Sequence, residues 1–580
     1  MSDAPILVVA WDGACLEVTQ PLVDAGRMPV LAALQKAGRV WRVESTVPAV
    51  TFPAWTSFLT GARPDHHGIT DFTIPRDGGY GVRFVNAGHR ALPTLVTRLS
   101  EAGVRVGMYG IPATFPPEGR GVFEICGFDT PLGSASASRA AHPPGLADKI
   151  RQAHGRLGIE GIPQSRIDAG WHDRTLPQLL ADIALRTNVA LDLWRSHRLD
   201  VFLVHFMESD TVGHHFWQFH DPDSPLHRAG PRSAVARIYQ ALDASLGQLL
   251  EAVGPQASVL LLSDHGSSGA SDRTVFWNRW LSDQGWLGFD EAARVSLAVH
   301  LKRAALRFLP PAVQAKAFSL AGGMVDRLES SSRFAGIDWS RTRAFSDEVP
   351  YFPSIRLNLA GREKSGVVDP SEREDVLLSL TSEILAARDP LDGFPVVETV
   401  RRREELFDGP YLHRYPDLVL DLRRPGGYAY GAGSSRSGRE KQWLRRLRRE
   451  EATGAKGSAT SGVHSPWGMA VLRSAAATVE DQHETASTSQ ADLPECTLAD
   501  LGVTVLALAG VEPSEGMQGR PIWIGSARGE DRSANSISGL PTGEVVGSGA
   551  WTPQQTNNYD YSEEEEREVE ERLRALGYLP

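Results

Sequence analysis

Four apolar runs constrain the fold of this chain more than any other feature. "PILVVAWD", "RVGMYGI", "VFLVHFM" and "SVLLLSD" all fall within residues 1–275. Between them lie stretches with helical periodicity, among them "MPVLAALQKAG", "LPTLVTRLSEAG" and "AVARIYQALDASLGQLLEAVG". Unbroken apolar strands alternating with helices specify an α/β fold, with a mainly parallel sheet covered on both faces. In such sheets the working site lies outside the carboxyl ends of the strands. Asp12 and Asp264 each directly follow an apolar run, which places both at that edge.

At 580 residues the chain is too long for one ordinary domain. Residues 1–275 are expected to form the first part of a catalytic α/β core. Residues 276–454 change character and read as an inserted or cap subdomain. There "VFWNRWLSDQGWL" has a helical pattern, and "RAFSDEVPYFPSIRLNLAG" and "PDLVLDLRR" suggest shorter strands. Residues 455–524 return to core-like sequence with "SGVHSPWGMAVLRS" and "TLADLGVTVLALAGVEPSEGMQGRPI". Residues 525–580 read as a flexible Ser/Gly/Asn-rich connector followed by a docking helix. In that helix Ser562 is the expected N-cap, acidic residues fill the first turn, and Gly577 marks the stop. Val569, Leu573 and Leu576 share its apolar face.

Composition excludes several classes. A net charge of −11 argues against a nucleic-acid binder. Cys15, Cys126 and Cys496 are scattered without a CxxC pair, so they read as small buried residues and not as a disulfide framework or a thiolate zinc site. The amino terminus lacks a basic segment ahead of its five-residue apolar run "ILVVA", unlike a signal peptide. No apolar run approaches the roughly 18 residues that span a bilayer. A cytoplasmic protein without a membrane partner is expected.

Oxygen and nitrogen ligands gather at the strand ends. Asp12 follows the first strand. Asp210 and His214, in "ESDTVGHHFW", share one face if that segment is helical. Asp264 and His265 are adjacent in "LLLSDHGSSG", and His464 lies downstream in "SGVHSPWG". Carboxylate and imidazole without thiolate suit catalytic zinc, and also manganese or iron. With Thr51, which precedes a Phe-Pro corner, seven positions are enough for two metal ions. Such a pair clamps an in-line displacement at phosphorus. Singly, each residue has an ordinary alternative: an Asp after a strand is often a helix cap, and Thr51 alone is a turn residue. The order D, T-F-P, DxxxH, D-H-G, G-x-H makes the set specific.

That order resembles the alkaline phosphatase superfamily, in its branch of type I phosphodiesterases, nucleotide pyrophosphatases and predicted phosphohydrolases or phosphomutases. The matching segments are "AWDG", "TVPAVTFPAWTSFLTGARPDHHGI", "GIPATFPPEG", "ESDTVGHHFWQFHDP", "LLSDHG", "SIRLNLAGRE", "SGVHSPWG" and "GMQGRPI". The resemblance implies an alkaline-phosphatase-like sandwich and a hydrolase of phosphate esters, diester or monoester, with a small-molecule substrate. It implies that Thr51 is the covalent nucleophile and forms a phospho-threonine intermediate. It further implies that Asp210, His214 and His464 bind one divalent ion. Asp12, Asp264 and His265 would bind the other, with Thr51 Oγ as a further ligand; zinc is the first expectation for both. The backbone N–H groups opening "PAWTSF" would favour the transferring anion.

The chain also departs from its relatives. Ala54 stands where nucleotide pyrophosphatases often carry a phosphate-contacting Asn, so a nucleotide substrate does not follow. The phosphate-clamping arginine of monoesterases has no motif here, and the convertible residue of sulfatases is absent from "TFPAW". A phosphotransferase or phosphomutase using the same intermediate is the second enzymatic reading, and a catalytically silent binding scaffold the third. His66 and His67 read as turn residues. His205 and Glu208 read as supports behind the ligands or as packing, and His215 and His220 carry no assignment. The basic run "REKQWLRRLRRE" reads as a solvated helix face, with steering of an anionic substrate as its functional alternative.

Overall fold

The amino-terminal apolar run becomes the strand Ile6–Trp11, the middle strand of a nine-stranded sheet. A computed structural model of the chain describes residues 4–75, 80–133, 137–162, 170–290, 334, 336–435, 440–447, 451, 460–475, 493–522 and 561–575. Across the sheet the strands run Glu495–Thr497, Arg39–Glu44, Trp467–Arg473, Ser258–Leu262, Ile6–Trp11, Val201–Phe206, Val106–Tyr109, Phe123–Ile125 and Ala141–His142. Ile6 faces Val201 on one side and Ser258 on the other, both in parallel register. Only Trp467–Arg473 and Ala141–His142 pair antiparallel to the rest. The fold is therefore mixed α/β with a mostly parallel central sheet.

Burial on both faces explains the unbroken apolar runs. Leu7, Val9 and Trp11 point into one cluster with the helices Trp171–Ser196 and Ala234–Val253. Ile6, Val8 and Ala10 point into another with Trp55 and Phe58 of the helix Thr51–Thr60, and with Leu501 and Val505 of the helix Leu498–Leu508. The strand Arg39–Glu44 departs from this pattern. Its sequence RVWRVE alternates and buries only Trp41 and Val43, so a search for apolar runs passes over it.

From Val275 to Leu444 a separate apolar cluster forms. It rests on an antiparallel sheet in the order Ala344–Phe345, Ser354–Leu357, Leu418–Leu422, Val397–Arg402, with the helix Arg373–Ala386 alongside. The basic run differs from the expected helix face. Leu444–Arg446 is a strand that pairs antiparallel with Arg273–Val275. The physical reason is local: Leu444 is buried, and Arg445 and Arg446 reach Glu440, Glu451 and Asp272 from an extended backbone.

The carboxyl-terminal helix spans Glu563–Ala575. Ser562 caps it as expected: its Oγ accepts from Glu565 N–H, and the Glu565 carboxylate accepts from Ser562 N–H in return. Val569 and Leu573 are buried against Val50, Phe52, Phe128 and Met207. Leu576, Gly577 and the expected connector of residues 525–560 lie outside the described residues.

Candidate active site

Most of the candidate ligands sit near the start or end of an element, and His214 lies mid-helix one turn after Asp210. Asp12 follows the central strand, and its N–H donates to Phe206 O at 2.9 Å. Thr51 is the first residue of the buried helix Thr51–Thr60, where Pro53 is tolerated in the opening turn. Asp210 and His214 lie one turn apart on the helix Glu208–His220. Asp264 and His265 follow the strand Ser258–Leu262, and His464 lies on the strand Gly462–Ser465, opposite Ser267.

Glycines in the motifs let these segments close on one another. Gly13 has φ +66°, and a Cβ there would lie 3.1 Å from Asp210 Oδ1; its N–H donates to Asp264 Oδ1 at 3.1 Å. At Gly462 a Cβ would strike Gly213 O at 2.1 Å, so the His464 strand and the His214 helix touch through two glycines.

Two sets of ligand atoms result. In the first, His214 Nε2 and His464 Nε2 are 2.9 Å apart and lie 3.3 and 3.4 Å from Asp210 Oδ1. The Nδ1 of His214 faces Gly462 O at 3.0 Å and that of His464 faces Ala49 O at 2.8 Å. Each Nδ1–H donates to its carbonyl, so the two Nε2 lone pairs are turned inward on a carboxylate oxygen. In the second set, His265 Nδ1 donates to Gly266 O at 3.1 Å, and His265 Nε2 lies 3.3 Å from Asp264 Oδ2 and 3.5 Å from Asp12 Oδ1. Those three inward atoms are buried without a hydrogen-bond partner, and Thr51 Oγ1 is likewise buried and unpartnered. Unpaired buried acceptors are costly. Three converging on one point fit a divalent cation, and the donor types fit zinc, manganese or iron. The rings of His265 and His464 stack at 3.7 Å, and His265 also lies within ligand reach of Asp210 and His464. The two sets are therefore contiguous.

Charge in this site is balanced by shifts in proton affinity. Burial, and then the charge of Asp210, pushes the Asp12 carboxyl up to about 8. Burial and the Asp12 charge push Asp264 well above the usual carboxylate range. Burial, then His464, holds His265 well below an ordinary imidazole. For Asp210 burial acts upward, but the facing His214 and His464 outweigh it and the carboxyl is held well down.

Two supports behind Asp12 complete the geometry. Asp12 Oδ2 accepts from Trp55 Nε1 at 3.2 Å and from His205 Nε2 at 2.9 Å, which leaves Oδ1 for the cluster. Burial and the nearby Arg186 hold His205 down to about 3, so the imidazole is neutral and donates through Nε2. His205 thus supports Asp12 from behind, one of the two roles the sequence leaves open for it. Trp55 carried no sequence signal beyond its place in the Thr51 motif. Glu208 pairs with Arg186, and His67 contacts Ser57 Oγ at 3.0 Å, in keeping with a structural role. His66, with Asp65 and Asp408, forms a third acidic group, but Arg63 already pairs with both carboxylates there. His215 is buried and neutral, held down to about 3, and His220 packs on Trp217.

The sequence profile of the type I phosphodiesterase / nucleotide pyrophosphatase family matches residues 6–458. His464 lies just beyond that span. Phosphonoacetate hydrolase from Sinorhizobium meliloti 1021 in complex with phosphonoacetate superposes with a TM-score of 0.52 at 16% identity, covering 87% of this chain and 96% of that one. The same enzyme in complex with phosphonoformate gives 0.51 at 18% identity, with the same 87% and 96% coverage. Human ectonucleotide pyrophosphatase/phosphodiesterase 5 gives 0.44 at 13% identity over 88% of this chain and 96% of that one. The two hydrolase structures share the fold. Among the described residues no helix is long and apolar enough to cross a membrane. The profile match covers most of the chain, and the chain belongs to the type I phosphodiesterase / nucleotide pyrophosphatase family of phosphoester hydrolases.

Proposed function

We propose that this protein hydrolyses a small-molecule phosphate ester, diester or monoester, by two successive displacements at phosphorus, the first by Thr51 and the second by water, with two divalent metal ions. The observation that carries this reading is the convergence of Asp12 Oδ1, Asp264 Oδ2 and His265 Nε2, all buried and unpartnered; Thr51 Oγ1, also buried and unpartnered, opens the helix whose Trp55 holds Asp12. Asp210, His214 and His464 would hold one ion. Asp12, Asp264 and His265 would hold the other, with Thr51 as a further donor, and zinc matches the donor set best. When bound, the ions supply positive charge to the attacking alkoxide and to the phosphoryl oxygens.

Thr51 Oγ attacks phosphorus and gives its proton to solvent; the P–O bond to the leaving group breaks, the leaving oxygen keeps the electron pair and takes a proton from solvent, and the phosphoryl group stays on Thr51. Water then attacks the same phosphorus, the P–O bond to Thr51 breaks, and one water proton returns to Thr51 Oγ. His464 Nδ1 holds Ala49 O, and Trp55 holds Asp12, so the helix that begins at Thr51 is tied to both ligand sets. In this reading residues 276–454 bound the substrate side as a separate subdomain and contribute no metal ligand.

The test is a panel of aryl phosphates, including a bis-aryl diester, offered to protein loaded with Zn²⁺ or Mn²⁺. Two equivalents of metal, turnover of at least one ester, and acid-stable phosphate mapped to Thr51 by peptide mass spectrometry are expected. Phosphate on another residue, or binding of at most one equivalent, overturns the reading.

A further inference from the structure

One buried arginine touches both halves of the site from behind. Arg186 lies on the helix Trp171–Ser196, and its side chain is 3% exposed. Its Nη1 donates to His205 O and its Nη2 to Glu208 Oε1, both at 3.1 Å. His205 belongs to the strand Val201–Phe206, and its Nε2 holds Asp12 Oδ2 at 2.9 Å. Glu208 opens the helix that carries Asp210 and His214. One guanidinium thus joins the support of one ligand set to the element that carries two members of the other. Gly110, at φ +83°, makes room for it: a Cβ there would lie 3.3 Å from Nη1.

We infer that Arg186 is a positioning residue that fixes the spacing between the two ligand sets. The inference rests on the reading of those sets as a metal pair. The planar fork of arginine suits this task, because its donors leave in fixed directions and reach a carbonyl and a carboxylate at once. Lysine offers a point charge on a flexible stem and cannot hold that angle. Stability alone is a weak reason for the pair, since a buried ion pair is often no better than apolar side chains of the same volume. Among the described residues Arg186 supplies the only hydrogen bond to the Glu208 carboxylate, whose Oε2 is buried and unpartnered. Only Met207 separates the strand end behind Asp12 from the Asp210 helix, so without Arg186 the side-chain brace that fixes the angle of that joint is lost. Supports of this kind orient ligands they do not touch.

The test uses the full chain loaded with Mn²⁺, in wild-type form and as Arg186→Met, Arg186→Lys and Glu208→Gln. Electron paramagnetic resonance separates an exchange-coupled Mn²⁺ pair from isolated ions and depends on their spacing. The wild type is expected to show the coupled signal. Arg186→Met, folded by circular dichroism, should bind metal about 10- to 100-fold more weakly and shift the signal towards isolated ions. Its kcat should fall by a similar factor, with KM for the ester little changed. Arg186→Lys should lie between the two. If Arg186→Met does not fold, Glu208→Gln, which keeps shape and loses charge, should show the same shift. A folded Arg186→Met or Glu208→Gln with wild-type affinity and an unchanged coupled signal overturns the inference and leaves the metal-pair reading standing. A wild-type protein without a coupled pair overturns both.

Discussion

Asp417 and Asp264 are both buried carboxylates, at 1% and 0% exposure, and their surroundings differ in kind. Asp417 lies between Ser354–Leu357 and the arginines of the second cluster. Arg362 donates to its two oxygens at 2.9 and 2.7 Å, Leu357 N–H donates at 2.8 Å, and Arg373 lies at 3.4 Å. Every acceptor there meets a donor from the chain. Asp264 meets one donor, Gly13 N–H at 3.1 Å, and turns its other oxygen toward His265 Nε2 and Asp12. A carboxylate that serves the fold is satisfied by the fold. One that serves a ligand is left with acceptor capacity that the chain itself does not meet. The same contrast separates Thr51, whose buried hydroxyl lacks a partner, from Thr504, whose hydroxyl donates to Asp500 O at 2.6 Å.

The largest expected effect tests the unsatisfied side of this contrast. Under the proposed mechanism Thr51→Ala removes the attacking atom and should lower kcat by about 10³-fold, roughly 4 kcal/mol of barrier. Thr51→Ser keeps the hydroxyl and should retain measurable turnover. Steady-state rates on the best aryl ester decide it. Near-wild-type activity in Thr51→Ala would make the unpartnered hydroxyl a packing accident and break the comparison at its sharpest point.

Next comes the satisfied side. Asp417→Asn should cost about 3 kcal/mol at neutral pH, because it removes a buried anion shared by the part-buried guanidinium groups of Arg362, Arg373 and Arg403. Burial alone would raise the Asp417 carboxyl, but Arg362, with Arg403 behind it, holds it down to about 2 from an ordinary 3.8. A carboxyl lowered on folding contributes stability that is complete above its unfolded value and is lost as pH falls through its folded one. The gap between wild type and Asp417→Asn should therefore be full above about pH 4 and should narrow towards pH 2. Urea unfolding at several pH values reads this directly, and a gap that widens on acidification would contradict it.

These two sides were not equally legible in the sequence. The candidate ligands stood out because most of them lie near the end of an element with a readable pattern, and because "AWDG", "SDHG" and "SGVH" place glycines where segments must touch. The structure gives those glycines a reason, since a Cβ at Gly266 would lie 2.1 Å from Trp467 O. The sheet was legible where strands are buried on both faces and obscure where they alternate, as in Arg39–Glu44. Trp55, Arg186 and the arginines around Asp417 were not legible. Their partners are far along the chain, and an arginine inside "ADIALRTNVALDLW" gives no sign of whether it faces water or a carboxylate. The basic run was misread because pairing with Arg273–Val275 decided its conformation, and no local pattern carries that.

A smaller effect, opposite in sign, sharpens the contrast further. In protein stripped of metal, at a pH high enough to ionise Asp264, Asp264→Asn should stabilise the fold by about 1 kcal/mol, because an amide N–H₂ replaces an acceptor that faces other acceptors. Its remaining oxygen can still accept from Gly13 N–H. With Zn²⁺ present the wild type should be the more stable of the two, since binding to the folded state alone raises its stability. Thermal unfolding in chelator and in Zn²⁺ measures both. If Asp264→Asn destabilised the chelated protein as much as Asp417→Asn does, the two carboxylates would be of one kind after all.

The smallest effect belongs to the basic strand. Arg446 is an exposed cation whose guanidinium lies 2.7 Å from Asp272, and its neighbour Arg445 reaches Glu440 and Glu451. The positive charge is answered where it stands, so little field remains to draw an anion from solution, and salt screens what does remain. An exposed pair of this type contributes at most about 1 kcal/mol, and often nothing measurable. Arg446→Ala should therefore change stability by less than about 0.5 kcal/mol, leave metal content alone and leave KM for an anionic ester unchanged. The strand is nevertheless bonded to Gly266–Val275, whose first residues pair with the His464 strand. A several-fold rise in KM for Arg446→Ala, largest at low salt and absent for a less charged ester, would show that this charge reaches the substrate. The division between residues that satisfy the fold and residues held open for a ligand would then have to be redrawn to include an arginine that does both.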